Sequence, residues 1–206
     1  MRFVLATGNA HKLAEFRQIL APHEVLAMPA WVTLPPEGAD SFAENARGKA
    51  LALARALSER GEGEGLWCLG DDSGLEVAAL EWAPGVTSAR YAGVDGPGAD
   101  TANVTRLLRE LTGCAGPLAR RARFVCTICV KSPDLVQHVV SGHWWGAIAE
   151  APRGAGGFGY DPVFMPDGSE LTVAEWPAAE KDRASHRARA GVALLERLRQ
   201  EGGPGA

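Results

Sequence analysis

An α/β fold built on a mixed β-sheet is what the 206-residue chain predicts, on three observations. A short apolar stretch runs into a segment with helical periodicity, and this alternation then repeats, as it does in βαβ units. Two long strand-like segments, 122–131 and 135–149, follow later across a short join, as in an antiparallel hairpin. Glycine (25) and proline (13) are abundant, which calls for many turns without amounting to low complexity.

The elements follow in order. Residues 2–6 form a strand that ends in Thr7-Gly8-Asn9. A helix then carries Leu13, Phe16, Ile19 and Leu20 at helical spacing, and Pro22 stops it. A second strand at 24–28 leads into a proline-rich loop, 29–36. Ser41-Phe-Ala-Glu44 reads as a capping box, in which Ser41 caps the helix and Glu44 returns to its backbone. That helix runs to about Arg60 and ends at Gly61, before a loop over 61–65. Residues 66–69 form a short buried strand that delivers Gly70-Asp71-Asp72-Ser73-Gly74 at its end, with another short strand at 75–77. Residues 85–98 are irregular, and a helix over 100–111 takes Asp100 or Thr101 as its cap. After the hairpin, turned around Ser132-Pro-Asp134, comes a glycine-dense loop, 154–162. A last helix begins near 180–183 and reaches about Gln200, and 201–206 is a frayed tail. There is no internal repeat and no linker, so residues 1–206 read as a single domain.

Charge and composition narrow the function. The balance is 21 − 25 = −4, which argues against a nucleic-acid partner, since that needs a basic face. No run approaches the ~18 apolar residues of a membrane span. The apolar stretch at the start is shorter than the ~7–15 residues of a signal-peptide core, so a cytoplasmic protein with reduced cysteines is expected. Cys126-Thr-Ile-Cys129 has a redox or zinc spacing, but it lies in a strand. Residues three apart there face opposite sides, so both read as buried small hydrophobes. Lysine is scarce, at positions 12, 49, 131 and 181 only, against 17 arginines.

Four groups of residues carry candidate chemistry. Thr7-Gly8-Asn9-Ala-His-Lys12 is a strand-to-helix turn whose free N–H groups, with Lys12, suit an anion. Asp71 and Asp72 are adjacent carboxylates that repel unless a cation compensates, and a hard divalent ion takes one or two carboxylates plus substrate phosphates. Glu37, read alone, is a solvated loop acid. Gly154-Ala-Gly-Gly-Phe-Gly159 matches a dinucleotide fingerprint letter for letter, but it comes late and opens no helix. Phe158 there reads better as a ring able to stack on a base. The fourth group, Glu180-Lys181-Asp-Arg-Ala-Ser185-His186-Arg187, places basic donors at a helix start, where they oppose the helix dipole.

Together these blocks resemble the inosine/xanthosine triphosphate pyrophosphatase family. The resemblance rests on Thr7-Gly8-Asn9-x-x-Lys12-x-x-Glu15, Phe42-x-Glu44-Asn45-Ala46-x-x-Lys49-Ala50 and Asp71-Asp72-Ser73-Gly74-Leu75. It continues through Pro84-Gly85-Val86-x-Ser88-Ala89-Arg90-Tyr91, Gly156-Gly157-Phe158-Gly159-Tyr160-Asp161-Pro162 and Glu180-Lys181-x-x-x-Ser185-His186-Arg187, in order from 7 to 187. Where the family often shows Glu-Thr-Gly before the second motif, this chain has Glu37-Gly38-Ala39. The resemblance implies two lobes around a long mixed sheet, with an active site in the cleft between them. It implies a homodimer and Mg²⁺-dependent hydrolysis of non-standard purine triphosphates (ITP, dITP, XTP) to monophosphate and pyrophosphate. On this reading Thr7, Gly8, Asn9, Lys12, Lys49 and Ser73 hold phosphates. Glu37, Asp71 and Asp72 hold the metal, and Asp72 is the general base. Phe158, Gly159, Tyr160, Asp161, Lys181, His186 and Arg187 receive the nucleotide and its base. The alternatives are a nucleotide sensor without turnover, separable by pyrophosphate release from ITP with and without Mg²⁺, and an enzyme for other damaged or pyrimidine triphosphates, separable by a substrate panel.

Overall fold

The computed structural model describes residues 1–38, 41–134 and 136–200; the tail expected at 201–206 lies outside them. Its strands are β1 (Arg2–Leu5), β2 (Glu24–Ala27), β3 (Leu66–Val77), β4 (Arg121–Lys131), β5 (Gln137–Ile148) and β6 (Phe164–Pro166). They form one six-stranded sheet in the order β2-β1-β3-β4-β5-β6. β1 pairs parallel with both β2 and β3, while β5 and β6 pair antiparallel, so the sheet is mixed. The flanking helices are α1 (Ala10–Ile19), α2 (Phe42–Glu59), α3 (Ala99–Glu110), the single turn α4 (Gly116–Ala119), α5 (Ala178–Ala184) and α6 (His186–Gln200). Among the described residues no helix is long and apolar enough to cross a membrane.

The chain divides into two compact units. The first comprises Met1–Asp72, Cys126–Gly142 and everything from His186 onward; the second comprises Ser73–Val125 and His143–Ser185. In the first unit the strands are apolar on both faces, as a helix-covered sheet requires. Phe3, Leu5, Leu69, Cys126, Ile128 and Val130 pack with Phe16 and Leu20 of α1 and its C-terminal neighbour, and with Ala190, Leu194 and Leu198 of α6. The alternate residues Val4, Ala6 and Cys68 pack with Leu53 and Leu57 of α2. Cys129 joins Ala46 and Ala50 in a separate cluster from Cys126, so the two cysteines do face opposite sides of β4, both fully buried. The second unit has its own core, in which Leu75, Phe124, Trp144 and Phe164 of the strands meet Val104 and Leu107 of α3.

Four local expectations are corrected. Residues 66–69 and 75–77 are not two strands around an acidic turn: β3 runs unbroken through Gly70-Asp71-Asp72-Ser73-Gly74. Ser41 caps α2 by accepting from the Glu44 N–H at 3.1 Å, but the Glu44 carboxylate turns to Arg47 rather than to the cap. Asp100 does not cap α3; its carboxylate accepts the N–H of Gly159 at 2.7 Å, and Gly98 occupies the cap position. The last helix is two helices, broken at Ser185, whose backbone is extended (ψ 162°).

Candidate active site

The first unit gathers most of the expected polar residues. β1 stops at Leu5, and the turn after it is held by side chains. Thr7 Oγ1 accepts from Asn9 N–H at 3.1 Å, and Asn9 Oδ1 caps α1 by accepting from His11 and Lys12 N–H at 2.9 and 3.2 Å. Two of the N–H groups expected to serve an anion are therefore already satisfied by Asn9. Gly8 is open: no protein atom lies within 4 Å of where its Cβ would be, and its φ is not positive. Neither strain nor packing requires glycine there; what it provides is bare backbone for a ligand to approach.

Beyond Leu69, the last residue of β3 that pairs with β1, come the two aspartates. Successive strand residues point to opposite faces, so the carboxylates do not crowd each other and each meets a different helix. Asp71, 1 % exposed, accepts from Lys12 Nζ of α1 at 2.7 Å. Asp72, 4 % exposed, accepts through Oδ2 from the Asn45 amide of α2 at 2.8 Å, and its Oδ1 lies 3.6 Å from Lys49 Nζ. Lys49 also donates to the backbone carbonyl of Asp71 at 3.0 Å and pairs with Glu37. Gly70 makes this possible. A Cβ there would collide with the Ala46 carbonyl and sit 2.7 Å from the Ala50 nitrogen, so α2 rests directly on the β3 backbone one residue before the pair.

Burying charges is costly unless each finds a partner, and here the environments separate two chemically identical groups. Burial alone would push the Asp71 carboxyl up, but Lys12, Arg187 and Lys49 outweigh it and hold it below the usual carboxylate range. At Asp72 burial prevails over the Asn45 hydrogen bond and the nearby Lys49 charge, so its carboxyl is pushed above that range. Burial would lower the Lys49 ammonium, yet the Glu37 hydrogen bond and the Asp71, Asp72 and Glu37 charges hold it higher. One aspartate is thus kept ionised and the other made more basic, the usual sign of divided acid–base roles.

Arg187, expected at the nucleotide, is 4 % exposed and donates to Glu15 of α1 at 3.0 Å; His186 beside it is equally buried. Glu37, Asp71 and Asp72 share Lys49 but do not converge: among the described residues no group of three or more His, Cys, Asp or Glu side chains is gathered in metal-ligating geometry.

The second unit shapes the glycine-rich loop. Asp161 accepts from the Phe158 N–H at 2.8 Å and from Lys181 Nζ at 2.5 Å, both at Oδ2. Lys181 Nζ lies 4.2 Å from the centre of the half-buried Phe158 ring, a cation–π distance. Gly157 is required twice over: its φ is +72°, and a Cβ would run into the Asp161 side chain. Tyr160 turns inward, 5 % exposed, its hydroxyl donating to the Ser88 carbonyl at 2.9 Å. Ser73 is half-buried in β3. Asn45, Glu15 and Gly70 carry no role predicted from the sequence, and Asp100 only that of a helix cap. For Asn45 and Glu15 the signal was present, since both fall inside quoted motifs.

The blocks that carry this site run from Thr7 to Arg187, and a model of the Ham1 family matches residues 3–197. The chain belongs to the Ham1 family. Similar curated relatives include the dITP/XTP pyrophosphatase of Ralstonia nicotianae, 45 % identical over 96 % of both chains. That of Streptomyces coelicolor is 42 % identical over 97 % of this chain and 98 % of its own. The structure of the Staphylococcus aureus Ham1 protein superposes with a TM-score of 0.82 at 35 % identity, covering 98 % of this chain and all of the other. A dITP/XTP pyrophosphatase structure from Mycobacterium abscessus gives 0.69 at 42 % identity, over 95 % of this chain and 99 % of that one.

Proposed function

We propose that this Ham1 family member hydrolyses non-standard purine nucleoside triphosphates (ITP, dITP and XTP) to the nucleoside monophosphate and pyrophosphate, cleansing the nucleotide pool. The carrying observation is the Asp71–Asp72 pair on opposite faces of β3, each carboxylate beside its own lysine. Lys12 and Lys49 now hold internal carboxylates. A triphosphate offers them the same charge and hydrogen-bonding chemistry, with Thr7, Gly8, Asn9 and Ser73 completing the phosphate subsite. The relatives named dITP/XTP pyrophosphatase support the substrate class.

A divalent cation, Mg²⁺, fits the donor set. Asp71 Oδ1 is buried with no hydrogen-bond partner among the described residues, an oxygen of the kind a hard cation takes. Asp71 would hold it through this oxygen, the substrate's phosphates supplying further oxygens; Glu37 and Asp72, which do not converge with it in this structure, are the further candidate ligands. When bound, such an ion neutralises phosphate charge and acidifies a coordinated water.

The chain's own part is positioning and proton transfer. Lys12 and Lys49 offset the charge on the transferring phosphoryl group, where most of the catalysis of such reactions lies. Asp72 orients the attacking water in line with the α-phosphorus and accepts its proton at Oδ1, since Oδ2 is engaged by Asn45. In the second unit Phe158 supplies the stacking face for the base, its ring backed by Lys181. The backbone of 159–161 lines that subsite. We read the protein as one functional domain, a cytoplasmic homodimer acting on a small nucleotide rather than on nucleic acid or a membrane.

The test is pyrophosphate release from dITP, XTP and ITP, with GTP and ATP as controls, with and without Mg²⁺. Metal-dependent release from the first three in preference to the controls is expected. Nucleotide binding without release would replace the enzyme by a sensor.

A further inference from the structure

Asn45 lies in the first turn of α2, 8 % exposed, and meets the chemistry above only at Asp72 Oδ2. Its amide is fully engaged. Oδ1 accepts the Gly38 N–H at 2.8 Å, while Nδ2 donates to the Gly38 carbonyl at 3.2 Å and to Asp72 Oδ2 at 2.8 Å. An amide offers two N–H donors and one carbonyl acceptor, so every group on this side chain has a partner. An asparagine near a helix start usually serves the helix itself, but Ser41 already caps α2. Asn45 points away from its own backbone, toward the segment that follows Glu37 and toward one oxygen of Asp72.

The choice of oxygen matters. With Oδ2 tied to a neutral donor, the Asp72 carboxylate cannot rotate freely. Its other oxygen, Oδ1, is left on the Lys49 side, 3.6 Å from the ammonium. A cationic donor at position 45 would depress the basicity of the carboxylate, and an acid there would repel it. An uncharged amide orients it at the least electrostatic cost. Gly70 fixes the arrangement, because the backbone contact between α2 and β3 leaves the helix no room to slide toward the strand.

We infer that Asn45 is a positioning residue for hydrolysis: it locks the Asp72 carboxylate with Oδ1 as the proton-accepting oxygen, and through the same amide ties the 37–38 segment to α2. This rests on the proposed pyrophosphatase reading, and the experiment separates the two. Steady-state pyrophosphate release from dITP is measured for the parent, Asn45→Asp and Asn45→Ala, with thermal melting of each. Asn45→Asp keeps the shape and the acceptor for Gly38 N–H but turns a carboxylate on Asp72; Asn45→Ala removes all three contacts. Loss of a partner that orients a functional group typically costs 10–100-fold, so kcat is expected to fall by about that factor in both variants. KM for dITP should stay within about threefold, because no group that binds phosphate has been changed. If Asn45→Asp does not fold, Asn45→Ala is read alone by the same criteria. A folded variant with kcat within about twofold of the parent overturns the inference, as does a loss carried mainly in KM, the pattern of a displaced Lys49. A parent that releases no pyrophosphate from dITP or XTP overturns the pyrophosphatase reading itself.

Discussion

Gly70→Ala is the sharpest test of how the site is assembled. The new methyl would start 2.7 Å from the Ala50 nitrogen and in collision with the Ala46 carbonyl, with Lys49 Cβ at 3.1 Å. Ordinary contact needs about 3.5 Å, so clearing the Ala50 nitrogen alone takes roughly 0.8 Å, and the nearer Ala46 carbonyl makes α2 retreat from β3 by about 1 Å or more. Both nearest atoms are backbone, and no side-chain rotation relieves them. Overpacking of this kind costs about 1–3 kcal/mol, which for a chain of this size lowers the melting temperature by roughly 2–12 °C. The functional loss should be larger than the loss of stability suggests. The same shift carries Asn45 and Lys49 away from Asp72, and a displacement of about 1 Å at a reacting group can cost about 100-fold in turnover. Calorimetric melting and pyrophosphate release measured on one preparation supply both numbers. Unchanged melting and turnover would mean that the contact at Gly70 does not set the position of α2.

Asp72→Asn should abolish turnover while leaving nucleotide affinity within about tenfold, because the substitution removes the base but keeps a hydrogen-bonding side chain; near-parental turnover would remove Asp72 as base. Phe158→Ala should raise KM across purine triphosphates by about 5- to 100-fold, the worth of one base–aromatic stack, with a smaller effect on kcat; an unchanged KM would make the ring structural only. The two tyrosines supply a pH prediction. Burial and the Glu110 carboxylate push the Tyr91 phenol up to about 12, and burial pushes Tyr160 up as well. Since the folded state favours both neutral phenols, their contribution to stability is complete below the ordinary value of about 10 and is lost as pH rises from there toward 12. Tyrosinate absorbance should stay flat through about pH 10 in the native protein and appear together with unfolding, whereas a native titration near 10 would refute the burial of these rings.

Much of the fold was legible because burial pattern and periodicity agreed. The helix behind Ser41, the hairpin segments and the opposed cysteines of β4 follow from residue spacing that the packing then uses. The misreadings share one physical origin, a long-range partner outweighing a local preference. Gly70, Asp71, Asp72 and Ser73 are turn formers taken singly, yet the close approach of α2 and separate lysines for the two acids keep them in a continuous strand. Asp100 would make a good helix cap, but Gly159, 59 positions away, claims its carboxylate. The break at Ser185 carries neither proline nor glycine to announce it. In the candidate site the scarcity of lysine was the informative signal, since Lys12, Lys49 and Lys181 each sit on an acid. The inward turns of Arg187 and Tyr160 were not legible, because a motif names residues and not the direction in which they point.

The path of the chain through its two units bears on synthesis. The chain passes between them four times, and the first unit is completed only by the stretch that begins at His186. Ala190, Leu194 and Leu198 close a core whose opposite members, Phe3 and Leu5, are made long before them. A ribosome must therefore deliver the chain through Leu198 before the unit bearing the aspartates can bury its apolar face. The second unit has all of its segments earlier, by Ser185. Emerging chains thus expose the β1 and α1 surface throughout elongation, a window in which association with other nascent chains competes with folding. Loss of the final helix, however short the truncation, would leave that window permanently open.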